Sequence, residues 1–374
     1  MARHGGGRAE RRSIGYAVVG LGHIAQAAVL PAFAHARGNS RLVALVSGDS
    51  KKRKALGAGY GVPAFRYEDL DDVLAREDVD AVYVTLPNTL HEECAIRAAR
   101  AGVHVLTEKP MATSEEACRR MIEAAEEGEV KLMVAYRLHF ERANMEAVEV
   151  VRSGRIGEPR FFTSEFSYQV KAGNIRTDAK VGGGALWDLG PYCINAARYL
   201  FRAEPNEVMA MEVGARDRRF RGVPEGWSVL LRFPDERLAT FTCSFGAAPI
   251  DNYRLVGTTG DVRLDPAYEY VGSLVRHLTV DEKMTVKKYG PSDQFAPEIL
   301  EFSSCVLEDR DPEPDGWEGL ADVRIVEAAL RSAREHRSVR LVPVQRRRRP
   351  ESSQARRRPP VQPPEPLQAT SPDQ

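Results

Sequence analysis

The sequence lacks any long apolar run of the kind that spans a membrane. No stretch approaches the ~18 consecutive apolar residues that a transmembrane helix requires. The basic N-terminus leads at Ser13 into a strand-like segment, without the apolar core and small-residue cleavage site of a secretory signal. We therefore expect a soluble, cytoplasmic protein with no membrane partner.

Cysteine and histidine patterns that would indicate a disulfide framework or a metal site are also missing. The five cysteines are an odd number, and no two of them form a C-x-x-C pair. None of the eight histidines belongs to an H-E-x-x-H motif. These absences predict free thiols, as in a reducing compartment, and no metal cofactor.

The formal net charge is zero, so the chain lacks the overall basic excess that is typical of nucleic-acid-binding proteins. Basic residues are in excess only at the two ends, over residues 1–12 and 346–374. We expect the first segment to be flexible and the second, which is rich in arginine and proline, to be disordered. The arginine clusters could alternatively bind an anionic partner. Because no aromatic residues are interleaved with them, we predict a solvated tail and no nucleic-acid partner.

Residues 13–136 alternate short apolar segments with helical ones. Strands of this length, separated by helices, predict right-handed βαβ units and a parallel sheet. We therefore predict a Rossmann domain over residues 13–136. The apolar segments are Ile14–Val19, Leu42–Val46, Ala81–Thr85, Val103–Leu106 and Leu132–Ala135.

After Tyr136 the pattern changes to successive strands with few helices between them. The sequence predicts a helix over 144–152, a strand over 160–168 and one long helix over 186–201. Neighbouring strands without helices favour a large, mostly antiparallel open sheet, so residues 137–345 are predicted to form an α+β domain. The later strands and helices are predicted at Trp227–Phe233, Leu238–Phe245, Tyr253–Gly257, Leu274–Val280, Ile299–Leu307 and Leu320–Glu335.

A glycine-rich turn, Gly20-Leu21-Gly22-His23-Ile24-Ala25, stands between the first predicted strand and a helix. Glycine-rich turns are common, but this position is the one that a dinucleotide-binding motif requires. Gly20 permits a tight turn, Gly22 lets the backbone approach a pyrophosphate, and Ala25 keeps the helix close to the strand. The turn therefore predicts a dinucleotide cofactor.

The second strand ends in Ser47-Gly48-Asp49-Ser50-Lys51-Lys52-Arg53, and this segment bears on the choice of cofactor. NAD enzymes usually have an acidic residue at the strand end, which binds the ribose 2′-hydroxyl. A serine with nearby basic residues suits a 2′-phosphate instead. We predict NADP, with NAD the less favoured alternative, because Asp49 could still reach a ribose and Lys51–Arg53 could simply be a solvated helix face.

Two clusters carry candidate catalytic residues. Glu108-Lys109-Pro110 follows a predicted strand, and open α/β folds bind ligands at the carboxyl ends of their strands. Three glycines, Gly182-Gly183-Gly184, precede a helix that carries Asp188 and Tyr192 at positions i and i+4, on one face. A carboxylate beside a phenol could bind a sugar hydroxyl and move its proton. Alternatively, Lys109 is an ordinary surface lysine and the aromatic residues are core.

Together these residues resemble the glucose–fructose oxidoreductase/inositol dehydrogenase/rhizopine-catabolism (Gfo/Idh/MocA) family. The resemblance extends from about Ile14 to about Leu341. Many members have a histidine four residues after the aspartate, whereas Tyr192 resembles the glucose–fructose oxidoreductase branch, as does Ser47 with Lys52. The matching motifs are Gly20-Leu21-Gly22, Leu86-Pro87-Asn88 with His91, Glu108-Lys109-Pro110, Tyr136-Arg137, and Gly182-Gly183-Gly184 with Asp188 and Tyr192.

The resemblance implies a Rossmann domain followed by a domain whose open sheet forms the interface of a homo-oligomer, a dimer or a tetramer. It also implies hydride transfer between the nicotinamide of NADP and C1 of an aldose-type sugar. Tyr192 would be the acid/base, beside the cation of Lys109; Asp188 would orient the sugar, and Arg176 would belong to the pocket wall. The residues implied to contact the cofactor are Gly20, Leu21, Gly22, His23, Ile24, Ser47, Lys52, Leu86, Asn88, His91, Glu108, Lys109 and Arg137.

One departure from that branch concerns cofactor retention. Glucose–fructose oxidoreductase has an exported precursor and an N-terminal arm that helps to retain its NADP, whereas about a dozen residues precede the first strand here. We therefore expect an aldose dehydrogenase that releases its cofactor, or a reductase of a related carbonyl sugar or diol-type substrate. A non-catalytic NADP-binding sensor is a further alternative, against which Lys109, Asp188 and Tyr192 argue.

Overall fold

The computed structural model describes residues 13–214, 216–346, 348–362, 364–369 and 371. The predicted fold class is confirmed, because a six-stranded parallel sheet is followed by a nine-stranded, mostly antiparallel sheet. The N-terminal residues 1–12, predicted to be flexible, lie outside the described part of the chain.

The first sheet has strands that are short and almost wholly buried, as expected where helices cover both faces. Its helical segments are a π-helical turn (Ala25–Val29), α1 (Leu30–Ala32), α2 (Ser50–Tyr60), α3 (Leu70–Leu74), α4 (His91–Arg100) and α5 (Glu115–Glu127). Its strands are β1 (Ile14–Val19), β2 (Ser40–Val46), β3 (Ala64–Phe65), β4 (Ala81–Val84), β5 (His104–Thr107) and β6 (Leu132–Val134). The spatial order β3-β2-β1-β4-β5-β6 reverses direction between β1 and β4, which is where open α/β sheets bind ligands.

The second sheet packs one face on helices and exposes the other. Along β10, for example, buried and exposed residues alternate. Its strands are β7 (Pro159–Ser167), β8 (Glu207–Val213), β9 (Gly226–Arg232), β10 (Leu238–Ser244), β11 (Ile250–Gly257), β12 (Gly260–Leu264), β13 (Leu274–Val280), β14 (Lys283–Tyr289) and β15 (Val339–Arg340). The order is β14-β13-β12-β11-β7-β10-β9-β8-β15, and among the described strands of this second sheet only the β7–β10 pair is parallel. Strands β8, β12, β14 and β15 were not among those predicted from the sequence.

Two helices that follow the second sheet return to the first one. The later helices are α6 (Arg142–Arg152), α7 (Ala185–Asp188), α8 (Gly190–Phe201), α9 (Phe295–Leu307) and α10 (Gly316–Glu335). Ile299 and Phe302 of α9 share a buried core with Tyr16 of β1, and Leu320 of α10 shares one with Met121 of α5. Apolar packing therefore joins the two sheets into one framework around the space between them.

The helix predicted over 186–201 is interrupted at Leu189. Pro191 has no N–H to donate, and the N–H of Tyr192 donates to the carbonyl of Leu189 (3.1 Å). The carbonyl of Asp188 is thereby released from the helix and accepts a hydrogen bond from Lys109 instead. The prediction of one continuous helix was wrong here, because it did not include the effect of Pro191.

The arginine-rich segment after residue 345 differs from the solvated, disordered tail that its composition predicted. In its described part, Arg346 pairs with Glu318 (2.9 Å) and Arg349 pairs with Glu204 (2.8 Å), and both carboxylates are buried. Because the partners of these arginines are distant in sequence, local composition could not reveal them. The remaining residues of the segment, 347, 363, 370 and 372–374, lie outside the described part of the chain.

Within the described residues, no helix combines the length and apolar character that a membrane crossing requires. The same residues contain no cluster of three or more potential metal-ligating side chains. All five cysteines are buried and unpaired with one another.

Candidate active site

A cavity of about 1150 Å³ lies beyond the carboxyl ends of β1, β2, β4 and β5, between the first sheet and the second domain. Pockets for single small molecules are usually ~300–1,000 Å³, so this cavity has room for a dinucleotide together with a second small molecule. Every predicted site residue except Gly20 lines it. These residues are Leu21, Gly22, His23, Ile24, Ser47, Lys52, Leu86, Asn88, His91, Glu108, Lys109, Arg137, Arg176, Asp188 and Tyr192.

The glycine turn forms one wall of this cavity. Gly20 lies behind the wall with φ of +100°, where a Cβ would approach the carbonyl oxygen of Thr85 to 2.7 Å. A Cβ on Gly22, by contrast, would meet no atom within 4 Å, so this backbone faces open space. An exposed backbone at Gly22 is what a closely approaching pyrophosphate needs, and the turn therefore fits a dinucleotide.

Ser47 and Lys52 line the cavity beyond the end of β2. The carboxylate of Asp49 caps α2 by accepting hydrogen bonds from the N–H groups of Lys51 (2.8 Å) and Lys52 (3.1 Å). Asp49 is therefore engaged with its own helix, outside the cavity lining. A hydroxyl and an ammonium facing the same space suit a phosphate better than the diol of a ribose.

Lys109 and Asp188 form the central ion pair of the cavity. The Lys109 ammonium donates to Asp188 Oδ1 (2.8 Å) and to the Asp188 backbone carbonyl (2.9 Å). Burial disfavours the ammonium, but the charge of Asp188 outweighs this effect and raises the pKa of Lys109 above its ordinary value. Lys109 is thus a fixed, protonated cation and differs from the mobile surface lysine that was the alternative interpretation.

Arg176 and Tyr168 hold the other carboxylate oxygen of Asp188. Asp188 Oδ2 accepts hydrogen bonds from Arg176 Nε (2.6 Å) and from the Tyr168 hydroxyl (3.1 Å). Although burial disfavours the carboxylate, Arg176 and Lys109 keep the pKa of Asp188 well below its usual range. Arg176 lines the cavity as predicted, but its Nε–H is directed at Asp188.

The glycine cluster explains how Arg176 reaches this position. A Cβ on Gly183 would lie 2.7 Å from the carbonyl oxygens of Ile175, Arg176 and Asp178, so the chain can fold back on itself only with glycine there. The N–H of Gly184 donates to the Arg176 carbonyl (2.8 Å). Gly183 and Gly184 therefore bring the segment that carries Arg176 against the segment that carries Asp188.

Tyr192 lies between two cations. The Lys109 ammonium is 4.7 Å from the centre of its ring, and the Arg137 guanidinium carbon is 5.0 Å from the same point. Arg137 Nη2 also donates to the Tyr192 hydroxyl oxygen (3.2 Å). Arg137 is fixed by hydrogen bonds to Gln294 and to the Tyr268 carbonyl, so it lies beside the candidate acid/base.

His91 and Asn88 join the loops that surround the cavity. His91 is buried, with Nδ1 2.9 Å from the Pro110 carbonyl oxygen and Nε2 2.8 Å from that of Leu86. Asn88 donates through Nδ2 to the Gly182 carbonyl (2.8 Å). Both side chains thus connect separate loops of the wall, in addition to facing the space that was predicted to hold the cofactor.

Glu108 is half-buried and lies close to a second acid, Glu298, which is fully buried. The Tyr83 hydroxyl lies 2.6 Å from Glu298 Oε1 and 3.1 Å from Glu108 Oε1, within hydrogen-bond distance of both. Burial raises the pKa of Glu108 and also that of Glu298, which lies on α9. The loop that carries Lys109 is therefore fixed from below through Tyr83.

Both domains of the chain match known protein families. Residues 14–136 match the oxidoreductase family with an NAD-binding Rossmann fold, and residues 144–263 match the GFO/IDH/MocA C-terminal domain. The chain belongs to the GFO/IDH/MocA oxidoreductase family. The predicted resemblance is thereby confirmed, and so is the prediction that the protein is an oxidoreductase.

Several similar proteins have names that denote sugar substrates. The D-xylose 1-dehydrogenase [NADP(+)] of Haloarcula marismortui is 30% identical over 87% of this chain and 92% of its own length. The crystal structure of aldose-aldose oxidoreductase from Caulobacter crescentus, complexed with glycerol, has a TM-score of 0.85 and 38% identity over 88% of this chain and 100% of that one. A 3-ketoreductase from Actinomadura kijaniata, in complex with NADP and TDP-benzene, has a TM-score of 0.79 and 31% identity over 86% and 98%.

The structure adds cavity residues that the sequence analysis of this GFO/IDH/MocA protein missed. Tyr168 is the last residue of the strand predicted over 160–168. An aromatic residue at the end of a strand, shortly before the glycine cluster, could have indicated a cavity residue. Tyr270 and residues of the C-terminal segment also line the cavity. No local pattern marks these, because they reach the cavity through the tertiary fold.

Proposed function

We propose that this protein is an NADP-dependent oxidoreductase that transfers hydride between the nicotinamide and C1 of an aldose-type sugar. The observation that carries the proposal is the Lys109–Asp188 ion pair beside Tyr192, in a cavity whose other end contains the glycine turn, Ser47 and Lys52. Similarity to D-xylose 1-dehydrogenase [NADP(+)] and to aldose-aldose oxidoreductase supports the same substrate class.

A bound NADP would supply the acceptor for the C1 hydrogen and its electron pair, and the protein would have to take the C1 hydroxyl proton. We assign this proton to Tyr192, which would first lose its own phenol proton to solvent and then accept the sugar's proton on its phenolate oxygen. Arg137 and Lys109 lie where they stabilise negative charge on that oxygen during the transfer. The sugar loses its C1–H and O–H bonds and becomes a carbonyl compound, a lactone when the substrate is a cyclic aldose.

Asp188 serves in this proposal as a fixed acceptor for sugar hydroxyls. Its two oxygens are already oriented by Lys109, Arg176 and Tyr168, so binding a sugar requires little further ordering of the carboxylate. Lys109 remains charged throughout and directs its ammonium between Asp188 and the face of Tyr192. The group that moves the proton is therefore separate from the groups that hold the sugar.

A panel of aldoses that includes D-xylose and D-glucose tests this function, with NADP and NAD supplied side by side. The proposal predicts NADPH formation with at least one aldose and a preference for NADP over NAD. No turnover on any aldose, with tight NADP binding, would favour the non-catalytic sensor. The Lys109→Ala protein is the negative control.

A second candidate is the reduction of a carbonyl sugar with NADPH. It is supported by similarity to the dTDP-3,4-didehydro-2,6-dideoxy-alpha-D-glucose 3-reductase of Actinomadura kijaniata, which is 32% identical over 85% of this chain and 95% of its own length. Consumption of NADPH with a dTDP-linked keto sugar, and no reduction of NADP by aldoses, would select this reaction.

We also propose that the protein is a homo-oligomer through the exposed face of its second sheet. Large apolar side chains lie on that face at Met211 and Met284, which are 71% and 65% exposed. Single exposed apolar residues are ordinary, but several on one sheet indicate a contact surface. Light scattering of the wild type and of Met211→Asp tests this: the substitution should lower the molar mass, and a monomeric wild type would exclude the interface.

A further inference from the structure

The described part of the C-terminal segment runs from the second domain to the cofactor end of the cavity. Arg356 pairs with Glu301 of α9 (2.5 Å), and its N–H donates to the carbonyl of Phe140 (3.2 Å). The Arg358 carbonyl accepts a hydrogen bond from the N–H of Asp293, just before α9 (3.2 Å). These anchors direct the following residues toward the glycine turn.

Leu367 is attached to the helical segment that follows the glycine turn. Its N–H donates to Gln26 Oε1 (2.8 Å), and Gln26 Nε2 donates to the Leu367 carbonyl (3.1 Å) and to the Leu21 carbonyl (2.9 Å). Gln26 is only 2% exposed, so these bonds are shielded from water. One carboxamide thus links the backbone of the C-terminal segment directly to the backbone of the phosphate-binding turn.

The next residue, Gln368, contacts the second cofactor-binding element. With its amide group oriented to donate, its nitrogen lies 2.7 Å from Asp49 Oδ2, at the start of α2. Asp49 is two residues from Ser47 and three from Lys52. The segment therefore spans the distance between the glycine turn and the region proposed to bind the 2′-phosphate.

Residues of this segment share the cavity with the cofactor-binding residues. Both anchor residues, Gln26 and Asp49, lie outside the cavity lining, so the segment is held at the rim by groups that a bound dinucleotide does not need. The segment residues that line the cavity are Pro364, Glu365, Pro366, Gln368, Ala369 and Ser371.

We propose that residues 364–369 form a strap over the adenosine end of the cavity, which retains the dinucleotide and slows its release. The inference rests on the dinucleotide of the proposed function and goes beyond it, because it assigns binding residues on the C-terminal segment. A dinucleotide can leave only after the Leu367–Gln26 and Gln368–Asp49 contacts open. A cofactor retained by this strap would differ from the freely dissociating cofactor that the sequence led us to expect.

The test is the rate of NADPH release, measured by the fluorescence change when excess NADP displaces bound NADPH. Four proteins are compared: the full chain, a chain without residues 363–374, Leu367→Pro and Leu367→Ala. Proline removes the N–H that donates to Gln26, whereas alanine keeps it. We expect release to be about tenfold faster in the truncated chain and in Leu367→Pro, as for the loss of one or two net hydrogen bonds, and nearly unchanged in Leu367→Ala.

Equal release rates in the full and truncated chains would overturn the strap while leaving the proposed function intact. Tighter NADPH binding by the truncated chain would also overturn it, because the segment would then compete with the dinucleotide. If none of the four proteins binds NADPH, the proposed cofactor is wrong and the strap fails with it. Melting temperatures without NADPH check that each variant is folded.

Discussion

The ammonium of Lys109 binds Asp188 twice, through Oδ1 at 2.8 Å and through the backbone carbonyl at 2.9 Å. The second bond is possible because the N–H of Tyr192 donates to the carbonyl of Leu189 instead of that of Asp188. Lys109 is therefore positioned by the path of the chain as well as by charge, and the face of Tyr192 lies beside it.

Replacing Lys109 by alanine should reduce kcat/KM by about 100-fold or more, because it removes the cation beside Tyr192 and leaves Asp188 with one cation fewer. NADP affinity, measured by fluorescence, should change much less. Lys54→Ala, on the exposed face of α2, is the matched control. A Lys109→Ala protein with near-normal turnover would show that this lysine takes no part in the chemistry.

Tyr168→Phe should lower kcat/KM for the sugar substrate without abolishing activity. The substitution deletes one hydrogen bond to Asp188 Oδ2, while Arg176 still holds the same oxygen. Loss of a hydrogen bond to a charged group corresponds to a decrease of about tenfold or somewhat more in kcat/KM. Steady-state kinetics should show the change mainly in KM, with Tyr60→Phe on α2 as control. An unchanged KM would mean that Tyr168 does not position Asp188.

Lys52→Ala should lower the affinity for NADP about tenfold and leave the affinity for NAD almost unchanged. The reason is that only NADP offers a 2′-phosphate to this ammonium. Lys51→Ala is a close control, because Lys51 is the neighbouring lysine and lies outside the cavity lining. Equal losses for the two cofactors, in direct binding measurements, would contradict the assignment of Lys52.

Asp322 should make the protein less stable as the pH rises toward neutrality. Burial raises its pKa to about 7 against the effect of Arg198, and Glu318 adds to the rise. In the unfolded chain the pKa of an aspartate is about 3.9, so the folded state binds the proton more tightly. The stability contributed by this proton is complete below pH ~4 and is lost as the pH rises through about 7.

Urea unfolding of the wild type and of Asp322→Asn between pH 4 and 8 measures this contribution, since asparagine does not titrate. The unfolding free energy of the wild type should fall relative to that of the variant as the pH rises to about 7. Above that pH the difference between the two proteins should stay constant. A stability difference that grows in the opposite direction would show that Asp322 is ionised in the folded protein.

Gly183→Ala should strongly destabilise the cavity wall, because its Cβ would meet three carbonyl oxygens at 2.7 Å. We expect an unfolding free energy lower by about 2 kcal/mol or more, with kcat/KM reduced in the fraction that folds. Gly59→Ala is the matched control, since a Cβ there meets no atom within 4 Å and α2 favours alanine. Similar melting temperatures for both variants would contradict the close packing at Gly183.

The architecture could be predicted from the sequence because it follows from local patterns, and the predicted site residues carry local motifs that lie together at the cavity. The strand lengths, the glycine turn and the position of Lys109 after β5 can each be derived from neighbouring residues. What it missed depends on distant partners: the Nε–H of Arg176 is directed at Asp188, and Leu367 reaches Gln26 across more than three hundred residues of sequence. The composition of the C-terminal segment indicated disorder. Composition alone cannot reveal the buried carboxylates on other elements that bind the arginines of this segment.

Deuterium tracing tests the central claim most directly. The protein is incubated with NADP and an aldose that carries deuterium at C1, such as labelled D-xylose or D-glucose, and the reduced cofactor is analysed by mass spectrometry. The proposed function predicts that the deuterium appears in NADPH and that Lys109→Ala forms little of it. Reduced cofactor without deuterium, or no reduction with any C1-labelled aldose, would contradict it.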